Sequence, residues 1–233
     1  MQKLSVVIIT KNAEKYIKNA IQSAFFANEI IVLDSGSTDN TCNIAKELGA
    51  RVEYQKWLGF GRQKNKAVEM ASNDWVFVLD SDEQITEKLK DEIIQTLENP
   101  VSDGYKVARL NIFFGKSIKY CGLYPDYSIR LFDRRKGKFN DVAVHESVQL
   151  NGSTSALKNH MLHLAFETVK EFVEKQKKYA LLSQKNKSLV KACISPIWTF
   201  LKIYIFRFGF IEGWRGLVIA KVYAQYTFWK YIK

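Results

Sequence analysis

Two aspartates one residue apart, Asp80 and Asp82 in the string LDSDE, follow the apolar run 74–79 (DWVFVL). Such a run reads as a strand buried in a sheet, so the pair falls at the strand's carboxyl end. On an extended chain, residues two apart point the same way, and both carboxylates can share one hard cation. A divalent ion held there bridges the two phosphates of a nucleotide diphosphate and takes up charge on a leaving group. The competing use is structural. An acid or serine ahead of ITEKLKDEI caps that helix, and acidic residues favour a helix start.

Three other polar sites stand where strands should end. Thr10-Lys11-Asn12 closes the β-branched run 3–10, DSGSTD (34–39) closes the run 29–33, and GFGRQKNKA (59–67) opens a helix. Small residues such as Ser35 and Gly36 let backbone amides approach a nucleotide, and Asp34 or Asp39 can accept hydrogen bonds from base or ribose. Arg62 and Lys64 can meet phosphate. Taken singly, each is an ordinary turn or solvated face; together at one sheet edge they point to a nucleotide pocket. Its candidate contacts are Thr10, Asn12, Asp34, Ser35, Gly36, Asp39, Lys64, Asn65 and Asp80.

The elements that must hold these residues alternate. After the strand 3–10, Asn12 can cap a helix through about Ala27, with Ile17, Ile21, Ala24 and Phe25 on one face. A strand over 29–33, a helix over 41–48 stopped by Gly49, and a strand over 51–55 follow. A helix opened by Gly59 and Gly61 leads to the strand 74–79. The alternation predicts an α/β fold with a parallel sheet and right-handed crossovers, in which ligands bind beyond the carboxyl ends of the strands. After Pro100 the rhythm changes to strands over 104–114, 128–133 and 142–150, broken by Gly115, Gly122 and Gly137, a mixed continuation suited to an acceptor. Residues 168–185 read as an amphipathic helix with Val169, Phe172, Val173, Tyr179 and Ala180 on one face.

The order TKN, DSGSTD, QKN-x-A, LDSDE resembles the family 2 glycosyltransferases of GT-A fold. More narrowly, it is similar to bacterial lipopolysaccharide-core enzymes that add β-linked glucose to heptose. The resemblance is strong over residues 3–98 and continues loosely through SIRLFD, the VHE at 144–146 and His163. It implies a GT-A, Rossmann-like mixed sheet with a catalytic domain over 1–165, a donor half over 1–100, an acceptor side over 101–165, and helical residues 166–233. It also implies inverting transfer from a UDP-sugar, with Mg2+ or Mn2+ held by Asp82 and Asp80, and Asp80 reaching the donor. His163 completes the metal or pyrophosphate site. The subgroup usually lacks a basic residue in place of Arg62, which favours Lys64 as the phosphate contact. Direct displacement needs one base, and Glu146 in Val144-His145-Glu146 fills that role, with Asp141 second. A satisfied, half-buried His145 on a surface strand pair is the bland alternative.

Charge separates the chain into two parts. Residues 1–150 carry 21 Lys and Arg against 20 Asp and Glu, whereas residues 151–233 carry 14 against 4. A basic tail implies an anionic partner. The stretch 194–211 is aromatic and apolar, but Lys202 and Arg207 argue against a spanning helix. Pro196 should start one helix, Gly209 and Gly213 break it, and a second runs from Gly216 to Lys233. This pattern suits an interfacial helix on an anionic inner-membrane surface. Packing on its own core or a second subunit is the alternative, and the oligomeric state is left open. Three scattered cysteines and no signal-like start predict a cytoplasmic, membrane-peripheral enzyme. The resemblance implies a glycolipid of the lipopolysaccharide core as the acceptor. A polyprenyl-phosphate glycosyltransferase shares these motifs. A nucleic-acid-binding protein would explain the basic tail but not the acidic edge at Asp34, Asp39, Asp80 and Asp82, so nucleic acid is not expected as a partner.

Overall fold

The computed structural model describes residues 2–141, 146–183 and 187–232. The chain divides into two compact units, one of residues 1–109 and 126–163, the other of residues 110–125 and 164–233.

The first unit begins with β1 (Leu4–Thr10), α1 (Ile17–Ser23), β2 (Glu29–Asp34), α2 (Thr41–Glu47), β3 (Arg51–Tyr54), α3 (Phe60–Glu69) and β4 (Trp75–Asp80). β5 (Glu83–Ile85), α4 (Glu87–Glu98), β6 (Gly104–Phe113), β7 (Lys116–Ser117), β8 (Asp126–Asp133), β9 (Gly137–Phe139), β10 (Val148–Leu150) and β11 (Thr154–Phe166) follow in the chain. Of these, β7 belongs to the second unit, as do the last residues of β6 and β11. The strand order is β3-β2-β1-β4-β8-β6-β11-β5, and β9 pairs with β10 apart from it. β1 is parallel to β2 and β4, and β2 to β3; β8 runs antiparallel to β4 and to β6. The predicted parallel half and mixed continuation are both present.

Every residue of β1 is buried. Its alternate side chains feed two cores, Val6 and Ile8 on one face with α1 and α4, Val7 and Ile9 on the other with α3. Truncating Ile8 to alanine would cost about 2–5 kcal/mol at such a site. Gly61 is dictated by close approach, because a Cβ there would lie 2.1 Å from the Asn140 carbonyl oxygen.

The structure corrects several expected boundaries. Asn12 does not cap α1: it has φ 52°, its side chain accepts from the Thr38 amide at 2.8 Å, and the helix starts at Ile17. The long strand β11 was not foreseen, because its residues are mostly half-exposed and lack a clean alternation. Of the strand expected over 142–150, β10 is present, while residues 142–145, His145 among them, lie outside the described residues.

The second unit holds α5 (Val169–Leu182), α6 (Leu189–Leu201) and α7 (Trp214–Ile232), with a π-helical turn at Lys202–Phe206 and a 3₁₀ turn at Gly209–Glu212. Phe113, Ile118, Phe172, Ile219 and Val222 form its core. Phe172 and Ala180 of α5 are buried, but Val169 and Tyr179 of the expected apolar face are exposed. Pro196 lies inside α6 instead of starting it, since Ser188 supplies the cap by accepting from the Lys191 amide. α7 begins two residues before Gly216, which sits within it because a Cβ there would meet the Gly209 carbonyl oxygen at 1.8 Å. By length and composition the helical run Leu189–Phe206, with mean hydropathy 1.5, qualifies to cross a membrane. That run contains two cations, Lys191 and Lys202, and Arg207 falls just outside it.

Candidate active site

Register brings the strand ends level. Thr10 pairs with Asp34, Asp34 with Tyr54, and Ile9 with Asp80, so four carboxyl ends open on one edge of the first unit. Two kinds of site lie along that edge.

The first is a pair of interlocked loops after β1 and β2. Asp34 is buried and its Oδ2 accepts from the amides of Gly36 (2.8 Å) and Ser37 (2.9 Å), which folds the DSGSTD turn on itself. Gly36 has φ 93°, a conformation that glycine adopts without strain. The Ser37 hydroxyl accepts from the Asn12 amide at 2.8 Å, and Asn12 returns the bond to Thr38. Asp39 accepts from the hydroxyl and amide of Thr41 and from the Glu14 amide; burial, the largest single influence, raises its carboxyl, but these bonds together outweigh it and bring it below its usual value. Ser35 accepts from Gln63 at 3.1 Å. Thr10 stands apart: its Oγ1 is buried with no hydrogen-bond partner among the described residues, a cost that a ligand atom would relieve. Tyr54, missed in the sequence, leaves its ring exposed beside Gly36.

The second kind is a knot of charge at the end of β4. Lys64 is almost wholly buried and spans two acids, Asp80 at 2.9 Å and Glu146 at 2.8 Å. Arg130 of β8, also buried, meets Asp80 at 3.3 Å and Glu83 at 2.7 Å. Glu83 is fully buried and accepts from the Asp80 amide at 2.9 Å, with Arg109 a further 3.7 Å away. Burial would raise the Asp80 carboxyl, but Lys64 and Arg130 outweigh it and hold the group well below the usual carboxylate range. For Glu83 burial wins over Arg130, and the carboxyl is pushed up. A partnerless charge at this depth would be strongly destabilising, so the pairs hold as a set.

The extended chain expected through Asp80 and Asp82 stops at Asp80. β4 ends at Asp80, Ser81 and Asp82 form a turn, and β5 starts at Glu83. Asp82 instead lies 3.5 Å from Nε2 of His163, which β11 sets opposite Glu83 in register. Among the described residues no cluster of three or more His, Cys, Asp or Glu is arranged to hold a metal. Asp82, with His163 beside it, still fits an ion such as Mg2+, which is commonly held by one or two carboxylates and completed by water and substrate phosphates. Asp80, already neutralised by two cations, adds little to that set.

The remaining candidates fall outside both kinds of site. Asn65 clamps β9, donating to the Phe139 carbonyl at 2.9 Å and accepting from its amide at 2.8 Å, so its amide is committed to structure. Arg62 and Asp141 pair with each other on the surface. Sequence reasoning missed Arg130, Glu83 and Arg109. The signal for Arg130 was available, a lone arginine inside the apolar strand SIRLFD.

Residues 5–148 match the model of glycosyl transferase family 2. The chain belongs to the family 2 glycosyltransferases. It is 33% identical to an uncharacterized glycosyltransferase of Rickettsia typhi, over all of this chain and 87% of that protein. It is 30% identical to the lipopolysaccharide core biosynthesis glycosyltransferase LpsC of Rhizobium meliloti, over 96% of this chain and 93% of that one. Among solved structures, S. aureus TarS superposes with a TM-score of 0.53 at 19% identity, over 78% of this chain and 39% of that chain. TarS residues 1–349 in complex with UDP give 0.50 at 21%, over 77% and 64%. These likenesses show the GT-A fold of this glycosyltransferase.

Proposed function

We infer that this glycosyltransferase moves a sugar, glucose in the first instance, from a UDP-sugar to a sugar hydroxyl of the lipopolysaccharide core, with inversion at the anomeric carbon. The observation that carries the inference is Lys64, which ties Glu146 to Asp80 at the strand end where a donor's diphosphate would lie. The similarity to LpsC supports the acceptor class, and the UDP bound in the TarS fragment supports the donor.

The nucleoside lies over the interlocked loops, where Thr10 Oγ1 gains a partner and the Asp34 turn offers its rim. In the transfer, the acceptor oxygen attacks the anomeric carbon, its proton passes to Glu146, and the bond from that carbon to the diphosphate oxygen breaks as UDP leaves. Glu146 suits the base better than Asp141. Its side chain is mostly buried and held by Lys64, whereas Asp141 is exposed and bound to Arg62. Lys64 holds Glu146 and Asp80 in place through its two ion pairs and presents a positive charge to the diphosphate. A Mg2+ or Mn2+ ion held by Asp82 and His163 would supply further neutralisation of the departing diphosphate. Arg130 and Glu83 fix Asp80 from behind. The basic second unit would bring the enzyme to the anionic inner-membrane surface that carries such an acceptor.

The test is incubation with UDP-glucose, divalent cation and a heptose-terminated core oligosaccharide, reading the anomeric configuration of the product by NMR. A β-linked product from the α-linked donor is expected. A retained configuration, or turnover of GDP-sugars alone, would contradict the proposal.

A further inference from the structure

Between α6 and α7 of the second unit runs an open groove of about 760 Å³. That volume lies within the range, roughly 300–1,000 Å³, of sites that take small organic ligands. Ile197 and Phe200 line it from α6, Ala224 and Phe228 from α7, and its polar elements include Lys221 and the exposed Cys193. The surrounding surface departs from ordinary soluble usage. Ile197 is 62% exposed, Trp198 58% and Phe206 62%, and only 6% of the run Leu189–Phe206 is buried. From residue 189 to 232 there are six lysines and arginines and a single acid, Glu212. That acid is turned inward, 5% exposed, accepting from the amides of Lys119 and Tyr120 and pairing with Lys116. The outward charge of the region is therefore all positive.

We propose that the α6–α7 groove binds one acyl chain of an anionic membrane phospholipid, with Lys221 meeting the phosphate of its headgroup. The proposal rests on the membrane-surface reading given above and goes beyond it by naming a site for a single lipid chain. An apolar channel with a cation beside it matches an amphiphile whose charge is negative, and each methylene withdrawn from water contributes about 0.8 kcal/mol. A second copy of the chain is a poor occupant, because it would set one all-positive surface against another. Nucleic acid would use cations and stacking rings, but it has no counterpart for aliphatic Ile197 inside the groove.

Cys193 serves as the reporter, since it lines the groove while Cys121 is buried and Cys42 half-buried. The full chain is mixed with vesicles of phosphatidylcholine alone or with added phosphatidylglycerol. Vesicle binding is measured by flotation, and Cys193 alkylation by mass spectrometry of its peptide. Phosphatidylglycerol vesicles should slow alkylation about tenfold when lipid stands at ten times its dissociation constant. Ala224→Trp, which fills the groove, and Lys221→Glu should each abolish that lipid-dependent slowing, with flotation retained and the melting temperature unchanged. Should either variant fold poorly, dihexanoyl phosphatidylglycerol monomers added to the wild-type chain give an independent reading, and protection of Cys193 is again expected. Flotation with an unchanged alkylation rate would overturn the groove while leaving the membrane reading intact. Absence of flotation would overturn both, without bearing on sugar transfer. Cys193 protection that rises with protein concentration in the absence of lipid, together with a dimer in sedimentation, would assign the groove to a second copy and overturn the proposal.

Discussion

The two units break the usual rule of burial in opposite senses. The first hides charge: Lys64, Arg130 and Glu83 sit almost out of water at the end of β4. The second exposes hydrophobic surface: Ile197, Trp198 and Phe206 stand in solvent on its helices. Both inversions carry a cost, and each therefore points to something beyond folding. A buried charge cluster is tolerated where charge develops in a reaction, and an apolar face is tolerated where a partner covers it. Substitutions in the two places should accordingly differ in kind as well as in size.

The largest effect belongs to the proposed proton acceptor. Glu146→Gln should lower kcat by roughly 10²–10⁴-fold, the usual contribution of a general base, with UDP binding retained in a thermal-shift titration. A fall of less than about threefold, far below that contribution, would remove Glu146 from the chemistry and undo the contrast on its catalytic side. Next comes the cluster's internal support. Arg130→Met leaves Glu83 buried beside Asp80 without its closest cation, and the chemical denaturation midpoint should report a loss of about 3–5 kcal/mol. If the variant is as stable as the parent, the buried charges are not mutually dependent.

A smaller effect, with a sign set by pH, attaches to Glu29. Its largest single influence, burial, raises the carboxyl, but bonds from Ser5 and Ser72 together with Arg51 bring it below its usual value of 4.5. A depressed carboxylate contributes stability above its unfolded pKa and loses it as pH falls through the folded one. Glu29→Gln should thus cost about 1–2 kcal/mol at neutral pH, and the gap from wild type should narrow as pH falls below the ordinary glutamate value of about 4.5. A gap that stays constant across that range would contradict this assignment. The smallest stability effect is expected in the second unit, where Ile197→Ser should shift stability by no more than about 0.5 kcal/mol while weakening flotation on phosphatidylglycerol vesicles. A large drop in melting temperature would instead mean that Ile197 belongs to a folded core.

Legibility in the sequence followed the strength of local signals. The β-branched run of β1, the turn glycines at 36 and 49 and the LDSDE string are short-range patterns, and each corresponds to an element of the structure. Partnership across the sheet was not legible. That Asp80 belongs with Arg130, fifty residues on, and Asp82 with His163 depends on β4 lying beside β8 and on β5 pairing with β11. No spacing rule conveys that. Periodicity also failed where an element is half-exposed along its length, as in β11, and where a proline was read as a helix start although a serine upstream caps the helix, as in α6. Asn12 shows the same limit at a single residue: its composition suits a cap, but a loop 26 residues later claims the side chain.

The metal-assisted UDP site proposed at Asp82 and His163 is tested most directly by thermal stabilisation of the full chain. The wild type is titrated with UDP in the presence and absence of Mg2+ or Mn2+, and Asp82→Ala is treated in parallel. Saturation at a hundred times the dissociation constant should stabilise the wild type by about 2.7 kcal/mol with the cation present, and the Asp82→Ala chain should lose the cation-dependent part. Equal stabilisation of both chains, with and without the cation, would contradict the site.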